Sequence, residues 1–426
     1  MSVRNKRAMH ILVVTQYFWP ENFRVNDLVE GLRERGHKVT VFTGLPNYPK
    51  GAFFRGYGWL GPYTETFKDD VRVARVPIVP RGTRKGLQLV LNYLSFVVFG
   101  CMLIFFRCRE KYDSVFVYGI SPITLAIPAI FFKWFRRVPV VFWVTDLWPE
   151  SLQATHTVHS SFVLDLVSRM VRFIYKHCDK ILVSGKGFIS RVERLGVSRQ
   201  KLEYFPQWAE AFFSEPTSID SNIITRGEFP EGFVVLFAGN IGSAQSFDTI
   251  ISAAELLKQH SDIHWVILGD GLLKEWVEAE VSARGLVSCF NVLGSRPIES
   301  MPTYYSMADA LLVSLRADPV FAITVPGKLQ TYMASAKPII GSIDGEGAEL
   351  IQLAGCGHTA RAGCADELMS AVLKVYSLSV EERQAMGFRA RRYFEEHFER
   401  EKALSRLENI LFRLLGLDFG ERSHFQ

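Results

Sequence analysis

ILVVTQYFWPENFRVNDLVEGLRERGHKVTVF, residues 11 to 42, holds a strand, a helix and a second strand in that order. Ile11-Leu12-Val13-Val14 is an unbroken apolar run, the pattern of a strand buried on both faces. Residues 26–35 carry apolar side chains at helical spacing, Gly36-His37 stops that helix, and Val39-Thr40-Val41-Phe42 supplies the next strand. A helix joining two buried strands is the unit of a parallel sheet. The same rhythm predicts strands over 114–118, 138–144 and 180–183, separated by segments of helix length.

After Phe205-Pro206-Gln207-Trp208, which reads as a linker, the rhythm restarts with strands over 234–237, 265–268 and 291–293 and a helix over 248–259. The expected fold is α/β, with two Rossmann-like, doubly wound domains facing a cleft. Their bounds are 1–205 and 206–395, and 396–426 forms a crossover helix and tail. Within a helix over 394–415, Leu404, Leu407, Leu411 and Leu414 share one face, which would return to the first domain; a coiled-coil dimer would use the same face, but the heptads are few. Two such domains fit a chain of 426 residues. Six scattered cysteines show neither zinc nor disulfide spacing, which fits a reducing cytosol, and the first apolar run is too short for a secretory signal.

The net charge of +5 conceals a division between the halves. Residues 1–205 carry 30 Lys and Arg against 15 Asp and Glu, whereas residues 206–426 carry 19 against 29. A basic half suits nucleic acid or an anionic membrane, and the apolar segments decide for the membrane. Residues 87–106, LQLVLNYLSFVVFGCMLIFF, lie between Arg84-Lys85 and Arg107 and have about the length needed to span a bilayer. Gln88, Asn92 and Ser95 recur at helical spacing, so the segment reads as a helix packed on its domain and touching lipid. FFKWFRR, residues 131–137, mixes aromatics with cations, and residues 162–176 place Arg169, Arg172 and Lys176 on one face of an apolar helix. Monotopic attachment to an anionic membrane, with no nucleic acid partner, is the expectation.

Each doubly wound domain should bind a ligand at the carboxyl ends of its strands. The dinucleotide fingerprint is missing after Val14, where the chain reads Thr15-Gln16-Tyr17-Phe18-Trp19-Pro20; Gly269-Asp270-Gly271 has Lys274 where a third glycine would stand. No P-loop lysine motif is present either. VPGKLQTYMASAKPII, residues 325–340, instead opens a helix with Pro326 and Gly327, and Leu329, Tyr332, Met333 and Ala336 mark its apolar face. Lys328 beside that helix's free amides would stabilise an anion such as phosphate; a lysine snorkelling from a core helix gives the same pattern.

Several stretches together resemble the retaining glycosyltransferases of family 4, which have the two-domain GT-B fold. They are YFWPENFRVNDL (17–28), GHKVTVFTGLPNYPKG (36–51), FWVTDLWPESL (142–152), FAGNIGSAQSFDT (237–249), ILGDG (267–271), ADALLVSL (308–315), residues 325–340, and DGEG (344–347). The resemblance covers nearly the whole chain and points to the membrane-associated branch that builds O-antigen and capsule repeat units, including N-acetyl-L-fucosamine transferases. It implies a UDP-sugar donor, a polyprenyl-diphosphate-linked sugar acceptor, no cofactor or metal, and a place on the cytoplasmic face of the inner membrane.

The resemblance also implies site residues. On the donor side these are Gly239, Asn240, Gly242 and Ser243, where small residues would admit a diphosphate to backbone amides, with Gln245 at a position many relatives give to lysine. Lys328 would supply that cation and act in catalysis. Arg296 stands where relatives hold the base, and Tyr332 belongs to the same set. The family's two glutamates separated by seven residues are missing: the second aligns with Thr331 and the first falls near Ile323, which leaves Glu346 to compensate at the ribose. On the acceptor side Asp146 and Glu150 follow a strand as catalytic candidates, Asp146 orienting sugar or acceptor or else capping a helix. Arg24 and Asn26 would meet donor phosphate or acceptor diphosphate, and Asn47 and Tyr48 form a loop beside the cleft.

The expected reaction moves a sugar, an N-acetylated amino sugar on the resemblance, with retention at the anomeric carbon. Fixed amides and cations lower the barrier by meeting the charge that grows on the departing diphosphate. A paired-carboxylate hydrolase would imitate the Asp146 and Glu150 spacing. A UDP-sugar epimerase of the same fold and a non-catalytic membrane scaffold are the other two function classes.

Overall fold

The protein is described by a computed structural model over residues 7–82, 86–154, 160–213 and 229–417. Its first sheet contains β1 (His10–Val14), β2 (Lys38–Gly44), β3 (Thr64–Phe67), β4 (Val71–Val76), β5 (Ser114–Gly119), β6 (Val140–Val144), β7 (Lys180–Val183) and β8 (Leu202–Tyr204), in the order β3-β4-β2-β1-β5-β6-β7-β8. Every neighbouring pair is parallel except β3 with β4. The expected strands are present, and the β3–β4 hairpin and β8 are additions. The helix Arg24–Glu34 joins β1 to β2; its Val25, Leu28, Val29 and Leu32 are buried, and Gly36 ends it at a φ of +85°.

The second sheet contains β9 (Phe233–Ala238), β10 (Ile263–Leu268), β11 (Phe290–Gly294), β12 (Ala310–Ser314), β13 (Ile339–Ser342) and β14 (Gly357–Ala360), in the order β11-β10-β9-β12-β13-β14 and parallel throughout. Sheet order reverses between β1 and β5 in one domain and between β9 and β12 in the other. Those reversals open crevices at the strands' carboxyl ends.

The expected helix over 394–415 is two helices. Val380–His397 buries Ala390 and Phe394 in the second domain's core, the chain turns at Phe398 and Glu399, and Arg400–Leu414 then packs Leu404, Leu407, Ile410 and Leu411 among Met9, Ile11, Val25 and Leu28 of the first domain. Contact is so close that a Cβ at Gly31 would stand 2.5 Å from Leu404 Cδ1. Arg400 fixes the crossing by pairing with Asp27 at 3.0 Å and Glu34 at 2.9 Å. The tail 418–426 and Arg84-Lys85 lie outside the described residues.

The apolar segment forms one helix, Gly86–Arg107, long and apolar enough to cross a membrane. Of its polar stripe Asn92 and Ser95 face inward, whereas Gln88 is exposed and donates to Pro80 O at 3.2 Å. Gln16 Nε2 donates to Asn92 Oδ1 (2.8 Å), Asn92 Nδ2 donates to Val79 O (2.6 Å), and Val79 N donates to Ser95 Oγ (2.9 Å). Leu87, Val90, Leu94, Val98, Met102 and Phe106 are left on the outer face.

Candidate active site

The crevice of the second domain is built where β9 ends. Gly239 has a φ of +144°, outside the range a side chain tolerates, and Gly269 approaches so closely that a Cβ there would stand 1.8 Å from Gly239 O. Bare backbone is therefore what this corner presents. Gly239 and Asn240 are exposed toward the opening. The helix Gly327–Ala334 brings Lys328 to the same corner: Nζ lies 3.7 Å from the centroid of the Phe237 ring, and a Cβ at Gly239 would stand 2.7 Å from it.

Lys328 Nζ is shielded from solvent and has no hydrogen-bond partner among the described residues. Burial without a counter-charge pushes its pKa down to about 7. Asn240 Nδ2 and Gln245 Oε1 both border Gly242, and Gln245 Oε1 is also buried without a partner, while Ser243 is exposed at the turn. Arg316, which sequence reasoning missed, leaves β12 with its backbone N donating to Ala244 O at 2.8 Å. Its side chain has no partner among the described residues.

The other donor-side candidates are engaged within the protein. Tyr332 is fully buried, its hydroxyl accepting from Ala238 N (2.9 Å) and donating to Ala238 O (3.3 Å), so it fixes the end of β9 from behind. Thr331 is buried and donates to Gly327 O within its own helix. Arg296 is turned to its own domain, with Nε donating to Tyr304 Oη and Nη1 to Leu293 O. Glu346 reaches across the cleft, where its carboxylate accepts from Lys186 N (2.8 Å) and Gly187 N at the start of the helix Gly187–Arg194. Desolvation nevertheless raises its pKa.

In the first domain Asp146 follows β6 and accepts from Ser121 Oγ, with Trp148 Nε1 donating to Ser121 Oγ (2.8 Å) and lying 3.3 Å from Asp146 Oδ2. These bonds orient one carboxylate oxygen. Glu150 begins the short helix Glu150–Ala154, with its Oε2 buried and unpartnered. Arg24 spans the lobes: it donates to Gln207 Oε1 and to Gly327 O (3.3 Å) and pairs with Glu210 at 3.3 Å. It thus stands at the amino end of the helix that carries Lys328.

Asn26 and Asn47 serve loops rather than the cleft. Asn26 accepts from Trp19 N and donates to Glu21 O, and fully buried Asn47 donates to Leu45 O and accepts from Arg81 N. Both belong to a hub that sequence reasoning missed, where Glu21 accepts from the backbone N of Phe18, Asn47 and Tyr48. Burial pushes the Glu21 carboxyl up to about 7. Tyr48 packs its ring at a tilt against Tyr17 and Phe23, with centroids 5.7 and 5.2 Å away.

Comparison with known proteins agrees with this two-sided arrangement. Residues 22–208 match the family of the glycosyl transferase 4-like domain, and residues 232–377 match glycosyl transferases group 1. The chain is 26% identical over 254 residues to the probable glycosyltransferase WbjE of Pseudomonas aeruginosa, covering 58% of this chain and 61% of that one. It is 23% identical over 338 residues to the putative colanic acid biosynthesis glycosyl transferase WcaI of Escherichia coli, covering 76% and 81%. Anabaena HepE, solved with UDP and glucose, superposes with a TM-score of 0.69 at 14% identity, covering 95% of this chain and all of that one. With the two glycosyltransferase models matched in order on either side of one cleft, the chain pairs a glycosyl transferase 4-like first domain with a glycosyl transferases group 1 second domain in a GT-B fold.

Proposed function

We propose that this glycosyltransferase moves a sugar, an N-acetylated amino sugar as in the fucosamine transferases it resembles, from a UDP-sugar to a lipid-diphosphate-linked glycan during surface polysaccharide assembly. The observation that carries the reading is Lys328, an amine buried beside the bare backbone of Gly239 with no counter-charge among the described residues, which an arriving diphosphate would hold in its charged form. A diphosphate placed there gains negative charge as the glycosidic bond breaks, and a preorganised cation with free amides lowers that barrier. Retention follows if the leaving phosphate takes the acceptor hydroxyl's proton on the same face while Asp146 orients the acceptor. HepE, of the same fold, has been solved with UDP-glucose, and WcaI is named for colanic acid biosynthesis.

The lipid side of the reading rests on one surface. Helix Gly86–Arg107 continues into Ile127–Arg136 through rings of Phe105 and Phe135 at 5.1 Å, and Trp134 meets Phe173 of Ser161–His177 at 6.1 Å. Leu87 is 74% exposed, Phe135 67% and Phe162 78%, with Arg136, Arg137, Arg169, Arg172 and Lys176 exposed around them. Apolar residues rimmed by cations suit the headgroup boundary of an anionic membrane, here the cytoplasmic face of the inner membrane. The test is a donor screen with purified protein and a lipid-diphosphate-sugar acceptor, followed by mass spectrometry. Transfer from one UDP-sugar supports the proposal, and transfer from none sinks it.

A further inference from the structure

We propose that Arg81, caged by Tyr17, Tyr48 and Tyr93, binds the diphosphate of the acceptor, the anion that joins lipid to sugar. The inference rests on the lipid-diphosphate acceptor proposed above and assigns that group to a specific place. Arg81 follows β4 and precedes the apolar helix Gly86–Arg107, and its backbone N is pinned to Asn47 Oδ1 at 3.0 Å. The guanidinium carbon lies 5.5, 5.3 and 5.8 Å from the ring centroids of Tyr17, Tyr48 and Tyr93, and Nη1 donates to the Tyr17 hydroxyl.

Three rings and the hydroxyls of Tyr17 and Tyr93 do not use up the five donors of a guanidinium. Nε is buried without an acceptor among the described residues. No carboxylate pairs with Arg81 among the described residues, although an arginine stays charged at any working pH. Aromatic rings hold the cation by their faces and stiffen it, leaving its fork for a planar or tetrahedral oxyanion. The cage thus has the donors and the charge to take an oxyanion.

Its position matches the order of groups along the acceptor. Tyr93 lies on Gly86–Arg107, whose Val90, Leu91 and Leu94 are exposed on the outer side, and the same Tyr93 hydroxyl is within electrostatic reach of both Arg81 and Asp146. Going inward, the chain therefore offers an apolar face, a cation and an acceptor-side carboxylate. A polyprenyl-diphosphate sugar offers hydrocarbon, diphosphate and hydroxyl in that sequence.

The test measures binding of farnesyl diphosphate, farnesol and inorganic pyrophosphate by calorimetry, with no donor present, to the wild type, Arg81→Gln and Arg81→Lys. Farnesyl diphosphate should bind, Arg81→Gln should weaken it about tenfold or more, and Arg81→Lys should recover part of the loss. Farnesol should bind far more weakly and without regard to residue 81. Pyrophosphate bound as tightly as farnesyl diphosphate would make the source a free anion and overturn the assignment, as would an Arg81→Gln protein with unchanged affinity. If Arg81→Gln does not fold, Tyr93→Phe, which loosens the cage, should weaken farnesyl diphosphate binding two- to threefold, and no change overturns the proposal. Arg81-dependent binding without sugar transfer from any donor would retain the site and reject the proposed reaction.

Discussion

Glu346 of the second domain accepts hydrogen bonds from the backbone N of Lys186 and Gly187 in the first, and the fit leaves no room beside Gly187, where a Cβ would stand 2.7 Å from both the carboxylate and Ile323 Cγ2. The contact draws the two lobes together at the mouth of the cleft. It places a carboxylate at the positive end of a helix, a favourable arrangement for a charge.

Removing that carboxylate should let the lobes part. Glu346→Ala is expected to increase the radius of gyration of the unliganded protein in small-angle scattering and to lower kcat by about tenfold, because closing the cleft then lacks its fastener. Glu346→Gln, which offers one acceptor oxygen and turns an amide toward donors, should fall between. Scattering curves identical for the variant and the wild type would show that Glu346 does not hold the lobes.

Lys328 predicts opposite effects on stability and activity. Its folded pKa of about 7 lies below the ordinary 10.5, so the folded protein gives up a proton that the unfolded chain keeps. Stability should therefore rise as pH increases from about 7 to 10.5, with the full cost of charging a buried amine present below 7. Lys328→Met should flatten this dependence and raise the melting temperature at pH 6 by several degrees, while kcat/KM for donor falls about 100-fold or more. A UDP-sugar brought beside the amine would restore its charge, so binding by the wild type above pH 7 should be accompanied by proton uptake, readable by calorimetry in buffers of different ionisation enthalpy. Equal proton uptake by Lys328→Met would assign the proton elsewhere.

The crossing helix should be a stability element for both domains. Arg400, nearly buried, pairs with Asp27 and Glu34 of the first domain while its helix follows directly on the second. Arg400→Ala leaves Asp27 buried with a carboxyl whose pKa desolvation already raises, and the expected cost is about 2–4 kcal/mol. Calorimetric scans should show it as a lower first transition, in which the lobes begin to melt separately. A single transition at the wild-type temperature would mean that the apolar contacts of Leu404, Leu407 and Leu411 suffice.

What could be read from the sequence follows the physics of burial. β1 and β2 are legible because strands covered on both faces must be apolar throughout, and the meeting of Lys328 with Gly239 is legible because a glycine at a strand's exit and a lysine at a helix start both fall at the carboxyl edge of the sheet. The β3–β4 hairpin was not, since TETF and VRVARV carry charged residues; Arg75 is wholly buried there only because Gly44 O, Trp19 O and Glu65 receive its guanidinium. Asn26 and Asn47 look the same in sequence whether they meet a ligand or tie a loop. The distinction comes from Glu21, whose partners converge only in three dimensions.

Helix Gly86–Arg107 turns Asn92 and Ser95 inward to hydrogen bonds and leaves Val90, Leu94 and Val98 exposed on its outer face. Replacing Val90, Leu94 and Val98 with Gln disturbs none of those internal bonds, so the fold should persist with an unchanged melting temperature. Sedimentation with vesicles of anionic phospholipid should fall about tenfold or more, in keeping with roughly 1 kcal/mol or more lost per apolar side chain withdrawn from lipid. Added salt should weaken the remaining binding, because the exposed cations beside the helix act at short screening distance. Vesicle binding that survives the triple substitution at low salt would leave this helix as a solvent-facing surface and move the docking site elsewhere on the protein.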